Sequence, residues 1–418
     1  MKNRFIKWSA ALVVLATLAA AVWLVSRANP TPALPPAGDT AQVATHEIAP
    51  TRSPQAANTL QITATPTLSD VPPSPGKRCG TTGQDELLPS LTPPPPAAGP
   101  TPTRLIPPTP AALDLAQLSQ RAGFGMSTSA NPETWAVRLR SGWFLSWSVM
   151  LRPVSQVPEH WQTIRLQTDC FYPSQEYIRW VASKYPGLVW IIGNEPDVIW
   201  QDNLTPEEYA RLYHELYVTI KTADPSARLA VGAISQATPL RLEYLDRVLQ
   251  AYQENYSQPL PADWWTVHGY VLREEHNSWG VEIPPGMNVD QGELREVSDH
   301  GRMDLFQEQI IAFRTWLAKN GYRDIPLALT EFGILMPEDF GYSPRFDVQY
   351  LQESFAWLQS STDESVGYPA DGNHLVQRWA WFSLADALYP APDLADLQAG
   401  KLTALGEAFR DYVIQNKP

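Results

Sequence analysis

Two glutamates occupy places where a charged side chain is costly. Ile191-Ile192-Gly193-Asn194-Glu195-Pro196-Asp197 ends an apolar run on a carboxylate, and Ala328-Leu329-Thr330-Glu331-Phe332-Gly333 does the same. A carboxylate at the tip of a buried strand needs a partner or a task. If the two tips face each other, the pair is the minimal machinery for cleaving a glycosidic bond. One carboxyl donates a proton to the leaving oxygen, and the other attacks the anomeric carbon or activates water.

Further polar residues fall on the same kind of element. His268 and Tyr270 lie two apart in one apolar run and so share a face, as do Arg165 and Gln167 in another. Arg273, Glu274, Glu275, His276 and Trp279 follow the His268 run and can wall a cleft, and Trp200 is an outer aromatic candidate. Other chemistries are poorly served. The 7 histidines form no His-x-His or His-Glu-x-x-His pair, so no metal site is expected. Gly123-Phe124-Gly125 is too little for a dinucleotide loop, so no cofactor is expected. No Gly-x-Ser-x-Gly elbow is present. A net charge of −13 repels phosphate backbones and argues against nucleic acid as a partner. The 16 Trp and 16 Tyr suit either a large core or surfaces that grip sugar faces.

The elements that must position these groups alternate in type. Short apolar runs at 122–127, 143–149, 162–167, 188–193, 229–234, 265–271, 326–331 and 376–383 read as eight strands separated by amphipathic helices. Several are apolar throughout, as strands covered on both faces are. Eight such units in about 300 residues predict an α/β fold, a (β/α)8 TIM barrel. An open doubly wound sheet is the alternative. Thr205-Pro206-Glu207-Glu208 opens a helix with a capping box, and a helix over 303–320 stops at Gly321. The segments 272–302, 332–347 and 385–400 are long connections on the C-terminal face, where barrel enzymes build their sites.

The N-terminus reads as an address. Lys2, Arg4 and Lys7 precede an apolar run from Trp8 to Val25, long enough to cross a bilayer with the rest of the chain outside. A cleaved signal peptide is the rival, though Ser26-Arg27-Ala28 is a poor cleavage site. About half of the 40 prolines fall in residues 30–110, with Thr, Ala and Ser, as in a disordered stalk. The expected organisation is residues 1–29 as membrane segment or signal, 30–110 as stalk and 111–418 as barrel. The barrel is therefore expected outside the cytoplasm, with the membrane as a partner through residues 8–25. Cys79 and Cys170 have no CxxC spacing; outside the cytoplasm they can form one disulfide tying tail to barrel.

Asn-Glu-Pro at the end of the fourth strand and a lone glutamate at the end of the seventh resemble the clan A glycoside hydrolases, (β/α)8 retaining enzymes. Gly193-Asn194-Glu195-Pro196-Asp197 and Leu329-Thr330-Glu331-Phe332-Gly333 look closest to the group that includes the family 128 β-1,3-glucanases. The resemblance covers the barrel only. It implies Glu195 as acid/base, Glu331 as nucleophile and Asn194 as partner of a sugar 2-hydroxyl. It implies a polysaccharide or oligosaccharide substrate, a β-glucan being the first choice, and no cofactor. His268 and Tyr270 are implied as supports, Tyr270 donating to Glu331, and Trp381 as floor of the reacting subsite. The clan's arginine on strand two is missing; Arg165 on strand three is the candidate cation. On these roles Glu195 should take up a proton more readily than an ordinary carboxylate, while donors keep Glu331 ionised. A non-catalytic carbohydrate-binding barrel is the competing reading.

Overall fold

The computed structural model describes residues 72–76, 118–127, 130–149 and 158–416. The membrane-segment expectation, most of the stalk and Cys79 lie outside them. Among the described residues, no helix is long and apolar enough to cross a membrane.

Eight parallel strands form the barrel: β1 (Ala122–Gly125), β2 (Trp143–Leu145), β3 (Glu159–Gln167), β4 (Val189–Ile192), β5 (Arg228–Val231), β6 (Trp265–His268), β7 (Leu327–Phe332) and β8 (Arg378–Trp381). Neighbours pair in chain order, and β1 also pairs with β8. The ring closes between β5 and β6, where Val231 N–H donates to the Trp264 carbonyl (3.1 Å) and His268 N–H to the Ile234 carbonyl (2.9 Å). Every expected strand is present. Most end earlier than the apolar runs do, because the backbone turns at the mouth; Trp147, for instance, has φ +46° and cannot continue β2.

Among the described residues the α-helices are α1 (Pro132–Leu139), α2 (Gln175–Lys184), α3 (Pro206–Ala223), α4 (Pro239–Tyr256), α5 (Met303–Lys319), α6 (Pro344–Ser360) and α7 (Ala404–Gln415). α3 begins with the expected capping box of Thr205 and Glu208, and Gly321, just past α5, takes the left-handed φ of +83° that glycine tolerates. Strand alternation divides the apolar side chains. Trp143, Leu145, Trp161, Val189, Ile191, Ala230, Ala328 and Ala380 fill the interior. Their sequence neighbours, such as Phe144, Trp190, Leu229 and Trp379, join the layer under the helices.

Three local features shape the ends. At the N-terminal floor, Glu159 bonds Arg228 (2.5 Å) and Arg378, whose guanidinium lies 5.4–5.7 Å from the ring centres of Trp143, Trp161 and Trp264. In β1, a Cβ on Gly123 would come 2.3 Å from the Trp143 ring and one on Gly125 would come 2.7 Å from that of Trp147. The Gly-Phe-Gly run thus makes room for two indoles. Beside the rim, Cys170–Tyr172 pairs back on β3, Cys170 is disulfide-bonded, and Ser174 N–H donates to the Pro75 carbonyl (2.8 Å). The linker stretch 72–76 therefore rests against the start of α2.

Candidate active site

Glu331 reaches the barrel interior through a bulge. Along β7, Leu327 and Leu329 belong to the outer layer and Ala328 to the interior, so strict alternation would send residue 331 outward. One extra residue interrupts the register with both neighbours: His268 pairs with Glu331 rather than Thr330, and Trp381 pairs with Phe332. The slip returns Phe332 to the outer layer and turns Glu331 toward His268, the re-aiming that bulges perform beside active sites.

Glu195 sits in the turn after β4 with φ +46°, a conformation that costs a non-glycine residue energy. The surroundings hold it there. Its N–H donates to the Ala233 carbonyl (2.9 Å), and the next-door Asn194 N–H is held by Asp202 Oδ2 (2.7 Å). Two residues on, fully buried Asp197 bonds Arg241, which also binds Glu274 (2.8 Å) and the Glu282 carbonyl (2.8 Å). A buried guanidinium so satisfied ties the β4 turn, the start of α4 and the long β6 loop into one frame.

The two glutamates meet at His268. Its Nδ1 lies 2.8 Å from Glu195 Oε1 and its Nε2 lies 3.4 Å from Glu331 Oε1. One oxygen of each glutamate and one nitrogen of the histidine fall within 4.8 Å of one another. Tyr270 OH donates to Glu331 Oε2 (3.2 Å), as the resemblance implied, and the Trp147 indole N–H donates to Oε1. All of these residues except Trp147 are buried; Trp147 is half-buried at the mouth.

Such a trio has the donor types of a divalent-metal site, which the histidine spacing did not suggest. Here both Glu331 oxygens already accept N–H or O–H bonds and His268 Nδ1 is engaged by Glu195. That arrangement suits carboxyl groups exchanging protons better than a cation's ligands. Burial pushes Glu331 up to about 7, and the Glu195 charge adds to the rise; His268, Trp147 and Tyr270 act the other way. The donors expected around Glu331 are present, but burial outweighs them, so it holds a proton more readily than the sequence reading supposed. For His268, burial acts to lower proton affinity, yet Glu331 and Glu195 outweigh it and raise it.

The remaining expected residues divide. Asn194 is buried beside Glu195, and its side-chain amide makes no hydrogen bond among the described residues. Trp279 packs half-buried against the cluster of Val198, Tyr270, Leu272 and Val281 at the rim. Trp200 is 63% exposed in the β4 loop. Arg165 reaches the mouth from β3, but its guanidinium bonds Asp202 (2.6 Å) and Gln201 (2.9 Å), not either glutamate. Trp381 is not the subsite floor. It points outward, fully buried, with Phe332 at 5.3 Å and Phe355 at 6.3 Å, and its N–H donates to the Pro392 carbonyl. Parity explains the error: Ala380 faces the interior, so residues 379 and 381 cannot. The aromatics at the mouth are instead Trp147, Phe382 (5.4 Å from Trp147) and Tyr389 (6.3 Å from Phe382). Trp147 was missed because it reads as the tail of a strand; the signal was an indole flanked by serines past the apolar core of β2.

No family profile matches the chain, and no curated protein matches it. Solved structures similar to it include a subgroup II endo-β-1,3-glucanase of glycoside hydrolase family 128 from Sorangium cellulosum, at 17% identity and TM-score 0.48, covering 70% of this chain and 98% of that one. Another is a subgroup I endo-β-1,3-glucanase from Amycolatopsis mediterranei in complex with laminaritriose, at 15% identity and TM-score 0.46, covering 70% and 100%. A third is a subgroup III curdlan-specific exo-β-1,3-glucanase from Blastomyces gilchristii, at 19% and 0.44, covering 69% and 97%. They belong to the family that the two motifs resemble. The chemistry of the site rests on this chain's own side chains.

Proposed function

We propose that the protein is a retaining glycoside hydrolase acting on a β-linked glycan, with Glu195 as acid/base and Glu331 as nucleophile. The observation that carries this is the pair itself: two buried glutamates at the mouth of a barrel, bridged by one histidine, with oxygens within 4.8 Å. The short spacing supports retention, since inverting pairs stand about 6.5–9.5 Å apart to admit a water. Glu331 attacks the anomeric carbon while Glu195 protonates the leaving oxygen; Glu195 then takes a proton from the water that releases the glycosyl-enzyme. The cycle needs one proton on two carboxyl groups. His268 stands between the two carboxyl groups, within reach of both. Asn194, whose amide has no protein partner among the described residues, is free to bond a sugar hydroxyl beside Glu195.

β-1,3-Glucan is the first substrate to try, on the strength of the motifs. The reading extends to a barrel outside the cytoplasm, held to the membrane by residues 8–25 or released after cleavage; the basic flank and apolar run support it. Incubating the full chain with neutral β-glycans and following reducing ends tests the proposal. Release of oligosaccharides from one glycan supports it. Binding without any cleavage returns the carbohydrate-binding barrel instead.

A further inference from the structure

Resting on the reading of Glu331 as the attacking carboxylate, we propose that Trp147 is its positioning residue: a neutral indole N–H that aims the carboxylate and tunes its readiness to attack. Four observations carry this. The indole donates to Glu331 Oε1, leaving Oε2 for Tyr270. Trp147 has φ +46°, a backbone cost that needs a compensating role. β1 has glycine where any Cβ would press the ring at 2.7 Å. Phe382 flanks the ring at 5.4 Å, so the indole is held from two sides.

Among the described residues the indole makes the hydrogen bond to Oε1, while Tyr270 takes Oε2 and His268 Nε2 stands 3.4 Å from Oε1 without bonding it. Glu195 approaches from the β4 turn, and His268 and Tyr270 from β6 and the start of its loop. Arg165 on β3 senses both glutamates but is bonded to Asp202 and Gln201, and Tyr389 of the β8 loop lies near enough to Glu195 and Tyr270 to sense them. No guanidinium or ammonium among the described residues touches Glu331. An ionised donor stabilises a carboxylate about twice as well as a neutral one. With the indole, Glu331 stays held in line but keeps a high affinity for its proton, so the nucleophile is released only toward neutral pH.

The test uses Trp147→Phe, which keeps a ring and removes the N–H. The Glu331 carboxyl is titrated by infrared or 13C-carboxyl NMR, its signal assigned by its loss in Glu331→Gln, and the acid limb of kcat/KM is recorded in parallel. The expected result is a Glu331 midpoint raised by roughly half to one pH unit and an acid limb moved with it. kcat should fall about tenfold at pH 7, recover partly at pH 9, and leave KM little changed. Gly125→Ala, which displaces the indole without deleting it, should move the midpoint the same way, and it serves if Trp147→Phe does not fold. A folded variant whose midpoint and acid limb match the parent's overturns the proposal, whatever its turnover. A parent that cuts no glycan defeats the hydrolase reading, while the titration still reports whether Trp147 acts on Glu331.

Discussion

The barrel holds a glutamate at each end, and the two are treated in opposite ways. At the floor, Glu159 is clamped by Arg228 and Arg378 under a canopy of three tryptophans. Burial opposes its charge, but the two guanidinium groups pull it below the usual carboxylate range. At the mouth, Glu331 faces an indole, a phenol and a histidine, and burial lifts it to about 7. Both sites are carboxylates among tryptophans inside one barrel. The difference is the kind of partner: two guanidinium groups that keep their charge make a carboxylate inert and structural, while an indole, a phenol and a titratable imidazole leave burial in control and the carboxyl reactive near physiological pH.

The largest expected effect separates the ends by activity. Glu195→Gln and Glu331→Gln should each lower kcat by about 10³-fold or more, while Glu159→Gln keeps most turnover. A Glu159 variant as dead as the others would erase the distinction. Next comes the frame behind Glu195. Arg241→Met leaves Asp197 and Glu274 buried without their cation and should cost about 3–5 kcal/mol, read as a lowered denaturation midpoint; an unchanged midpoint would mean that the frame carries no load.

Stability against pH sharpens the contrast further, because the signs differ. Glu331 is raised when folded, so its contribution is present below the unfolded value of about 4.3 and lost as pH rises through about 7. Glu331→Gln should therefore be more stable than the parent at pH 8, with the gap closing toward pH 5. Glu159 is lowered, so its contribution is present above about 4.3 and lost as pH falls through the folded value. Glu159→Gln should be less stable than the parent at pH 7, the gap closing in acid. Thermal melts across pH check both, and gaps running the same way would contradict the comparison. The smallest effect concerns the two glycines of β1. Gly123→Ala presses on Trp143 in the core and should cost about 1–3 kcal/mol without moving the acid limb of activity, whereas Gly125→Ala should move that limb.

The barrel was legible because its signals are local and redundant. Val189-Trp190-Ile191-Ile192 reads as a strand covered on both faces, and the Thr205–Glu208 capping box marks its helix start from four residues. The two glutamates and Tyr270 were legible as residue types at strand ends. Their directions were not. Glu331 faces inward through an extra residue in β7, which alternation cannot foresee, and Trp381 faces outward because Ala380 takes the interior. Trp147 depends on a left-handed turn, a glycine one strand away and a bond spanning 184 residues, so nothing near it in sequence announces it. Arg165 was a sound candidate by type, but Asp202, 37 residues on, claims its guanidinium.

The assignment of roles to the pair is tested most directly by azide rescue on an aryl β-glycoside of whichever glycan the chain cleaves. Glu331→Ala with azide should yield the α-glycosyl azide, since the anion attacks from the emptied nucleophile side. Glu195→Ala should yield the β-glycosyl azide, by attack on a glycosyl-enzyme already formed on Glu331. Folded variants that give the reverse products, or that cleave at the parent's rate without azide, would contradict the account.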